Sequence, residues 1–266
     1  MNTIGTFGEQ HGRLGNQLFQ LALLFGVRFR RGHDLYLRRD GESLWDCFAV
    51  DVAGDGPPCP HRFDEVHGSC NFDPAVFDQP DGTEFHGYYQ SYRYMEGCED
   101  AVRGALRFHL PYRARAEALA FATRRTHRRP LVAIHVRRGD YLNPGVEDVW
   151  GNLTTDGYYA RAVQRIGGDV TYIVFSDDIQ GCRDALDLDG ALYADFDTGT
   201  SLCLMSICDA VVVANSSFSW WGAFLNPTAD VYAPSRWFGP EMPPPNDRQN
   251  DIVPPSWRQI PALSAR

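Results

Sequence analysis

Leu131-Val-Ala-Ile-His-Val-Arg-Arg-Gly-Asp140 is an apolar, β-branched run that ends abruptly in charge. The same change occurs twice more: Val170-Thr-Tyr-Ile-Val-Phe175 runs into Ser176-Asp-Asp178, and Val211-Val-Val-Ala214 runs into Asn215-Ser-Ser-Phe-Ser219. A short unbroken apolar run reads as a strand buried on both faces, the mark of a parallel sheet. Helical patterns over 157–166 and 201–208 separate the runs, so right-handed crossovers connect them. Their polar ends then gather on one rim, where open α/β sheets bind ligands.

Outward from these strands, Arg113 to Arg125 reads as an alanine-rich helix, closed by a breaker over Thr126 to Pro130. This places a domain boundary near 126, giving an N-terminal domain over 1–126 and a C-terminal domain over 127–266. Near the start, Thr3 to Phe7 reads as a strand, Gly12-Arg-Leu-Gly-Asn-Gln17 as a glycine loop, and Leu18 to Phe29 as a buried helix stopped by Gly32. Asp34 to Arg38 alternates as a strand does. Residues 40–86, rich in Gly, Pro and Asp, read as loop, and the proline-rich stretch from 227 onward reads as an extended tail without chemistry.

Composition removes several classes of function. A formal net charge of -9 argues against a nucleic-acid partner, whose binding draws on a basic surface. All 25 basic side chains are arginine, which excludes the P-loop lysine, Schiff-base enzymes and pyridoxal phosphate chemistry. The seven cysteines form no zinc-spaced cluster and are expected as free thiols in a reducing compartment. Without a signal-like start or a spanning apolar window, the expectation is a cytoplasmic protein, at most peripheral at the membrane.

Adjacent arginines leaving a buried strand, Arg137 and Arg138, put one guanidinium on each side of the chain. One fork can grip a diphosphate while the other pairs with Asp140 or solvent. Asn215 to Ser219 precedes Trp220-Trp221-Gly222, so Ser216, Ser217, Phe218 and Ser219 stand where a helix begins and offers N–H groups to an anion; the serines equally suit simple capping. Ser176-Asp177-Asp178 has the form of a metal-binding acidic pair, and equally of a turn or helix cap.

Four segments give the chain its resemblance to the α-1,2-fucosyltransferase family: Gly12-Arg-Leu-Gly-Asn-Gln-Leu-Phe-Gln20, Gly87-Tyr-Tyr-Gln-Ser-Tyr-Arg93, His135-Val-Arg-Arg-Gly-Asp-Tyr141 and Asn215-Ser-Ser-Phe-Ser-Trp-Trp-Gly222. With Phe175-Ser-Asp-Asp178 and Leu204-Met-Ser206 they stand in the expected order, and shorter pieces are shared with α-1,6- and protein O-fucosyltransferases. The resemblance implies a GT-B fold, two Rossmann-like halves facing across a cleft. It further implies inverting transfer of fucose from GDP-fucose to a galactoside acceptor, with no catalytic metal or other cofactor. By the same resemblance Arg137 binds the β-phosphate, His135 the nucleoside, Ser217 and Ser219 the diphosphate surroundings, and Gly15 and Asn16 the donor near its reacting carbon. Asp178, Ser216 and Phe218 join the donor set, and Gln90, Tyr92 and Trp220 the acceptor set.

One departure stands out: Ser201 occupies the position of the family's guanine-reading aspartate, so Asp195, Asp197 or a backbone carbonyl takes that role. The base that accepts the acceptor's proton is expected to be Asp140 or Glu147. Two rival readings remain: another fucosyl linkage, α-1,6 or α-1,3, and a non-catalytic relative that binds glycan or nucleotide.

Overall fold

The computed structural model describes residues 2–4, 12–37, 42–50, 52, 54, 56, 58–66, 70–244 and 251–263. The chain forms two compact units, Met1–His109 with Arg248–Pro254, and Leu110–Asp247 with Pro255–Arg266. All seven cysteines are free, and no helix among the described residues is long and apolar enough to cross a membrane.

The first unit contains β1 (Asn2–Ile4), α1 (Leu14–Arg31), β2 (Leu35–Tyr36), α2 (Glu42–Cys47), β3 (Phe48–Val50), β4 (His61–Asp64), β5 (Thr83–His86), α3 (Glu99–Ala105) and β6 (Leu106–Phe108). Its main sheet has the order β2-β1-β5-β4, with every pairing parallel, and β3 and β6 form a separate antiparallel pair. The predicted strand at 3–7 is present over Asn2–Ile4, and residues 5–7 lie outside the described residues. Residues 40–86 are less irregular than their composition suggests, since they contribute α2, β3, β4 and β5. These elements are short and set among Gly and Pro, which hides their periodicity.

Helix α1 begins four residues earlier than its apolar run because Leu14 and Gly15 are already buried. Leu18 to Leu24 are essentially inaccessible, and each such leucine or phenylalanine contributes about 1.5–3 kcal/mol by leaving water. Arg28, Arg30 and Arg31 in the last turn suit the negative end of the helix dipole. Gly32 closes the helix at φ 71°, as its position predicts. A methyl group on Gly26 would stand 1.8 Å from the Tyr94 carbonyl oxygen, so only glycine lets α1 approach the 3-10 turn Tyr92–Met95.

The second unit opens with α4 (Leu110–His127). The units therefore divide before this helix, whereas the sequence placed a boundary after it near 126. The reason is packing: Tyr112 lies against Gly199, where a methyl would meet its ring at 2.7 Å, and Arg115 pairs with Asp197 at 3.1 Å. There follow β7 (Leu131–Val136), α5 (Val146–Trp150), α6 (Tyr158–Ile166), β8 (Thr171–Ser176), α7 (Ile179–Ala185), β9 (Leu192–Ala194), α8 (Thr198–Met205), β10 (Ala210–Val212), α9 (Ser217–Phe224), β11 (Asp230–Pro234) and β12 (Arg258–Ile260).

The six strands form one sheet in the order β12-β11-β10-β7-β8-β9, with every pairing parallel. The three predicted strands are its β7, β8 and β10. From β7 the chain steps outward over β8 and β9, then returns past β7 to β10 and steps outward the other way. The topological switch point thus lies between β7 and β10, where such sheets form a ligand crevice. The stretch after 227 is not a plain tail: β11 and β12 complete this sheet on one side.

Candidate active site

All six residues of β7 are buried, and register sets Val136 beside Ser176 of β8 and Ile134 beside Val212 of β10. His135 is 6% exposed, its ring centroid 5.5 Å from that of Phe218. Burial lowers its pKa to about 4, the Arg137 cation adding to the effect and Asp177 opposing it. The imidazole is therefore neutral at pH 7. Its Nδ1 has no hydrogen-bond partner among the described residues, an unusual condition for a buried ring nitrogen.

Arg137, with a side chain 11% exposed, is held from two sides: Nη1 lies 2.6 Å from Asp177 Oδ2, and Nη2 donates to Asp140 Oδ1. Its guanidinium carbon stands 5.3 Å from the Tyr141 ring centroid. The sequence led to a fork open toward a diphosphate with Asp140 paired to one arginine of the two. In the structure both Asp140 and Asp177 engage Arg137 itself. Asp140 is 56% exposed and Asp177 30%, so Asp140 is the partner an incoming anion displaces more readily.

Arg138 turns the other way. Its Nε donates to Asp178 at 2.9 Å and Nη1 to Thr154 at 3.3 Å, while its backbone N–H donates to Asp177 at 3.0 Å. Asp178 also accepts from Gly181 N at 2.9 Å and so caps α7. The acidic pair thus binds arginines and a helix end; Asp178 is a cap and arginine partner rather than a donor-facing carboxylate.

The first turn of α9 faces the switch point. Ser216 occupies the N-cap position with extended backbone, yet its hydroxyl makes no cap hydrogen bond. Ser219 is fully buried, and its Oγ accepts from Ala214 N at 3.1 Å. Its hydroxyl thus locks the turn from inside. Ser216, Ser217 and Phe218 remain partly exposed. Asn215 Nδ2 donates to Gly151 O at 3.2 Å, and Tyr141 Oη donates to Asn215 O at 3.2 Å, tying the loop after β7 to the end of β10.

Glu147, on α5, is exposed and accepts from Asn152 at 3.4 Å. Asp197 caps α8: Oδ1 accepts from Thr200 N at 2.7 Å, and Oδ2 from Thr200 Oγ1 at 2.8 Å and Arg115 at 3.1 Å. Burial raises its pKa, but these bonds outweigh that and leave it below the ordinary value. Three of roughly four acceptor positions are therefore taken. Ser201 donates to Phe196 O at 3.3 Å, and Asp195 is exposed. Trp220 is 0% exposed and stacks 5.1 Å from Phe224, with Trp221 and Trp257 around it. Its assignment to the acceptor is corrected: it is a core residue.

In the first unit, β1 and β5 flank that sheet's own switch point. Gly15 is buried in α1, and Asn16 Oδ1 accepts from Gln90 Nε2 at 2.6 Å, linking the segment after β1 to the segment after β5. Gln17 and Gln20 of the same motif are buried and pin backbone, at Leu44 N and Gly87 O. Tyr92 lies in the 3-10 turn, its backbone N–H donating to Asp251 O at 2.9 Å. Sequence reasoning missed Glu65, immediately after β4. Its two carboxylate oxygens accept from Tyr88 N at 2.7 Å and Tyr89 N at 2.9 Å, and burial raises its pKa to about 7.

The model of glycosyl transferase family 11 matches residues 76–258. O-antigen biosynthesis glycosyltransferase WbnK of Escherichia coli is 37% identical over 120 residues, covering 40% of this chain and 38% of that protein. Alpha-1,2-colitosyltransferase of Escherichia coli is 28% identical over 85% of this chain and 90% of its own length. Galactoside alpha-(1,2)-fucosyltransferase 1 of Sus scrofa is 25% identical over 83% of this chain and 65% of its own length. Among solved structures, POFUT1 in complex with GDP is 14% identical with a TM-score of 0.52, covering 87% of this chain and 96% of that one. Fucosyltransferase NodZ from Bradyrhizobium is 14% identical with a TM-score of 0.53, covering 85% and 93%. At such identities the two structures speak to the fold, which is GT-B. The chain belongs to glycosyl transferase family 11, the fucosyltransferase family that its motifs resemble.

Proposed function

We propose that the protein transfers L-fucose from GDP-fucose to a galactoside hydroxyl, forming an α-1,2 linkage with inversion and without a metal. The observation that carries this is Arg137, which leaves the central strand at the switch point beside neutral His135 and the first turn of α9. As the bond to fucose breaks, GDP gathers negative charge. A guanidinium braced by Asp177 before the reaction stabilises that charge with little reorganisation. The N–H groups of the α9 turn and its dipole act in the same sense. His135, uncharged, serves the nucleoside as a hydrogen-bonding group. Arginine and helix end together supply the counter-charge that a metal supplies elsewhere, and the Asp177-Asp178 carboxylates are already bonded to arginines. Relatives named as α-1,2-transferases support the linkage.

The test is incubation with GDP-fucose and a set of β-galactosides in EDTA, followed by linkage analysis of the product. Fucose on the galactose 2-hydroxyl is the expected result. A different linkage, activity only after metal is restored, or GDP binding with no turnover on any acceptor each contradicts the reading. A second reading, colitosyl transfer, is favoured by the colitosyltransferase relative, which matches over 90% of its length. Colitose is fucose without its 3-hydroxyl, so rates on the two GDP-sugars measured side by side decide between them.

A further inference from the structure

We propose that Trp150 is a platform on which a pyranose ring of the acceptor stacks, with Glu147 beside it to accept from that sugar's hydroxyls. The proposal rests on the fucosyl-transfer reading above, and every residue in it belongs to the second unit.

Trp150 ends α5 and is 42% exposed, alone among the described tryptophans in being an exposed side chain. Exposed as it is, the ring is held in place. Tyr141 stacks on it with centroids 6.0 Å apart and planes at 28°, and Phe238 meets it edge-on at 5.6 Å. Its backbone carbonyl accepts from Asn215 Nδ2 at 2.5 Å, which ties it to the end of β10. The segment after β11 lies along α5, with Gly239 N donating to Val149 O at 2.9 Å and Glu241 N to Asp148 O at 3.0 Å. A methyl on Gly239 would stand 2.2 Å from Asp148 O, so only glycine permits this approach. The indole N–H donates to nothing among the described residues. A ring immobilised before its ligand arrives loses little entropy on binding it.

Position and polarity identify the ligand. The Arg137 guanidinium stands 5.3 Å from the Tyr141 ring, and Tyr141 stands 6.0 Å from Trp150. The platform therefore lies one ring beyond the group proposed for the diphosphate, and a hydroxyl attacking the carbon bonded to that diphosphate comes from a sugar held about this far out. Glu147 stands three residues before Trp150 and so shares its side of α5. A chain of hydrogen bonds sets it: Arg138 Nη1 donates to Thr154 Oγ1 at 3.3 Å, Thr154 Oγ1 to Asn152 Oδ1, and Asn152 Nδ2 to Glu147 Oε2 at 3.4 Å. Glu147 Oε1 has no partner among the described residues.

An aromatic ring bordered by a carboxylate matches a pyranose, which carries C–H groups on its faces and hydroxyls at its edge. The negative face of the indole attracts those polarised hydrogens, and a β-galactoside gathers its C–H groups on one face because its 4-hydroxyl is axial. A protein partner calls for a wider apolar patch, whereas Asn143, Glu147 and Asp148 of the same segment are polar and exposed.

Kinetics with the β-galactoside that wild type fucosylates fastest, together with isothermal titration of GDP and GDP-fucose, test this in Trp150→Ala, Trp150→Phe and Glu147→Ala. Loss of a contact made equally in ground and transition states raises KM and spares kcat. Trp150→Ala is expected to raise acceptor KM by roughly 10–100-fold, with Kd for GDP and GDP-fucose within about twofold of wild type. Trp150→Phe, which keeps a ring between Tyr141 and Phe238, should raise it less, and Glu147→Ala about fivefold. Acceptor KM near wild type in a folded Trp150→Ala overturns the proposal; should that variant fail to fold, an unchanged acceptor KM in Trp150→Phe overturns it equally. So does weaker GDP-fucose binding with acceptor KM unchanged, which makes the stacked ring the donor's fucose, or a parallel loss of GDP affinity, which makes it guanine. A fall in kcat alone in Glu147→Ala overturns the part given to Glu147 and marks it as the base. Wild-type protein that binds GDP-fucose yet transfers to no β-galactoside removes the underlying reading instead, and the platform with it.

Discussion

Arg137 Nη1 and Asp177 Oδ2 lie 2.6 Å apart, joining the ends of neighbouring strands β7 and β8. Asp177 also accepts from Arg138 N at 3.0 Å, so one carboxylate fixes both the strand exit and the guanidinium. Removing that brace leaves the cation held by the more exposed Asp140 alone. Asp177→Asn should therefore weaken GDP binding and lower kcat, whereas Asp140→Asn should strengthen GDP binding by removing a competitor for the guanidinium. Isothermal titration with GDP checks both; equal effects of the two variants would contradict the unequal roles given to the two carboxylates.

Burial of neutral His135 makes stability depend on pH. With a native pKa of about 4 against an ordinary 6.5, the native state binds fewer protons than the unfolded state between those values. Stability is then lost as pH falls from about 6.5 toward 4, by up to about 3 kcal/mol. Denaturant unfolding of wild type and His135→Asn across this range should show the gap between them narrowing on acidification. Parallel curves would contradict the assignment.

Two glycines in helices should respond oppositely to alanine. At Gly26 the new methyl meets a carbonyl oxygen at 1.8 Å, and Gly26→Ala should cost about 1–3 kcal/mol or more as α1 is pushed off the Tyr92–Met95 turn. At Gly104 in α3 nothing lies within 4 Å, so Gly104→Ala should stabilise by about 0.4–1 kcal/mol. Thermal melts of the pair are a direct check, and a neutral Gly26→Ala would show that the packing is looser than drawn.

Asp197 separates two roles that the sequence left together. Its oxygens are engaged by Thr200 and Arg115, and loss of such a cap costs roughly 0.5–2 kcal/mol. Asp197→Ala should lower the melting temperature while leaving the preference for GDP over UDP and ADP intact. A collapse of that preference in a folded variant would return the guanine-reading role to Asp197.

The parts of the fold legible in the sequence are those where one property repeats over enough residues. β7, β8 and β10 are buried on both faces and read as apolar runs, and α1 reads the same way with its Gly32 stop. Arg137 was legible because it follows such a run. β4, β5 and β12 were not, since three or four residues such as Arg258-Gln-Ile260 carry no period. Residues that depend on pairing were lost with them. Asp177 as the brace of Arg137 needs the β7–β8 register, and Glu65 needs β4 beside β5. Trp220 shows the converse limit: an aromatic in a motif suits a sugar or a core equally, and only the turn of α9 decides for the core.

Turnover of GDP-fucose by folded Arg137 and Arg138 variants tests the central claim most directly. Lysine keeps a charge at position 137 but loses the planar pair of donors, and loss of one such donor costs about 2.7–4 kcal/mol, on the order of 10²–10³ in rate. Arg137→Lys should fall by roughly that factor and Arg137→Ala further, both retaining native circular dichroism. Arg138→Ala should lose thermal stability through Asp178 and Thr154 while keeping much more activity. Near wild-type turnover in Arg137→Ala beside an inactive, folded Arg138→Ala would contradict the choice of arginine, and full activity in both would remove arginine from the diphosphate site.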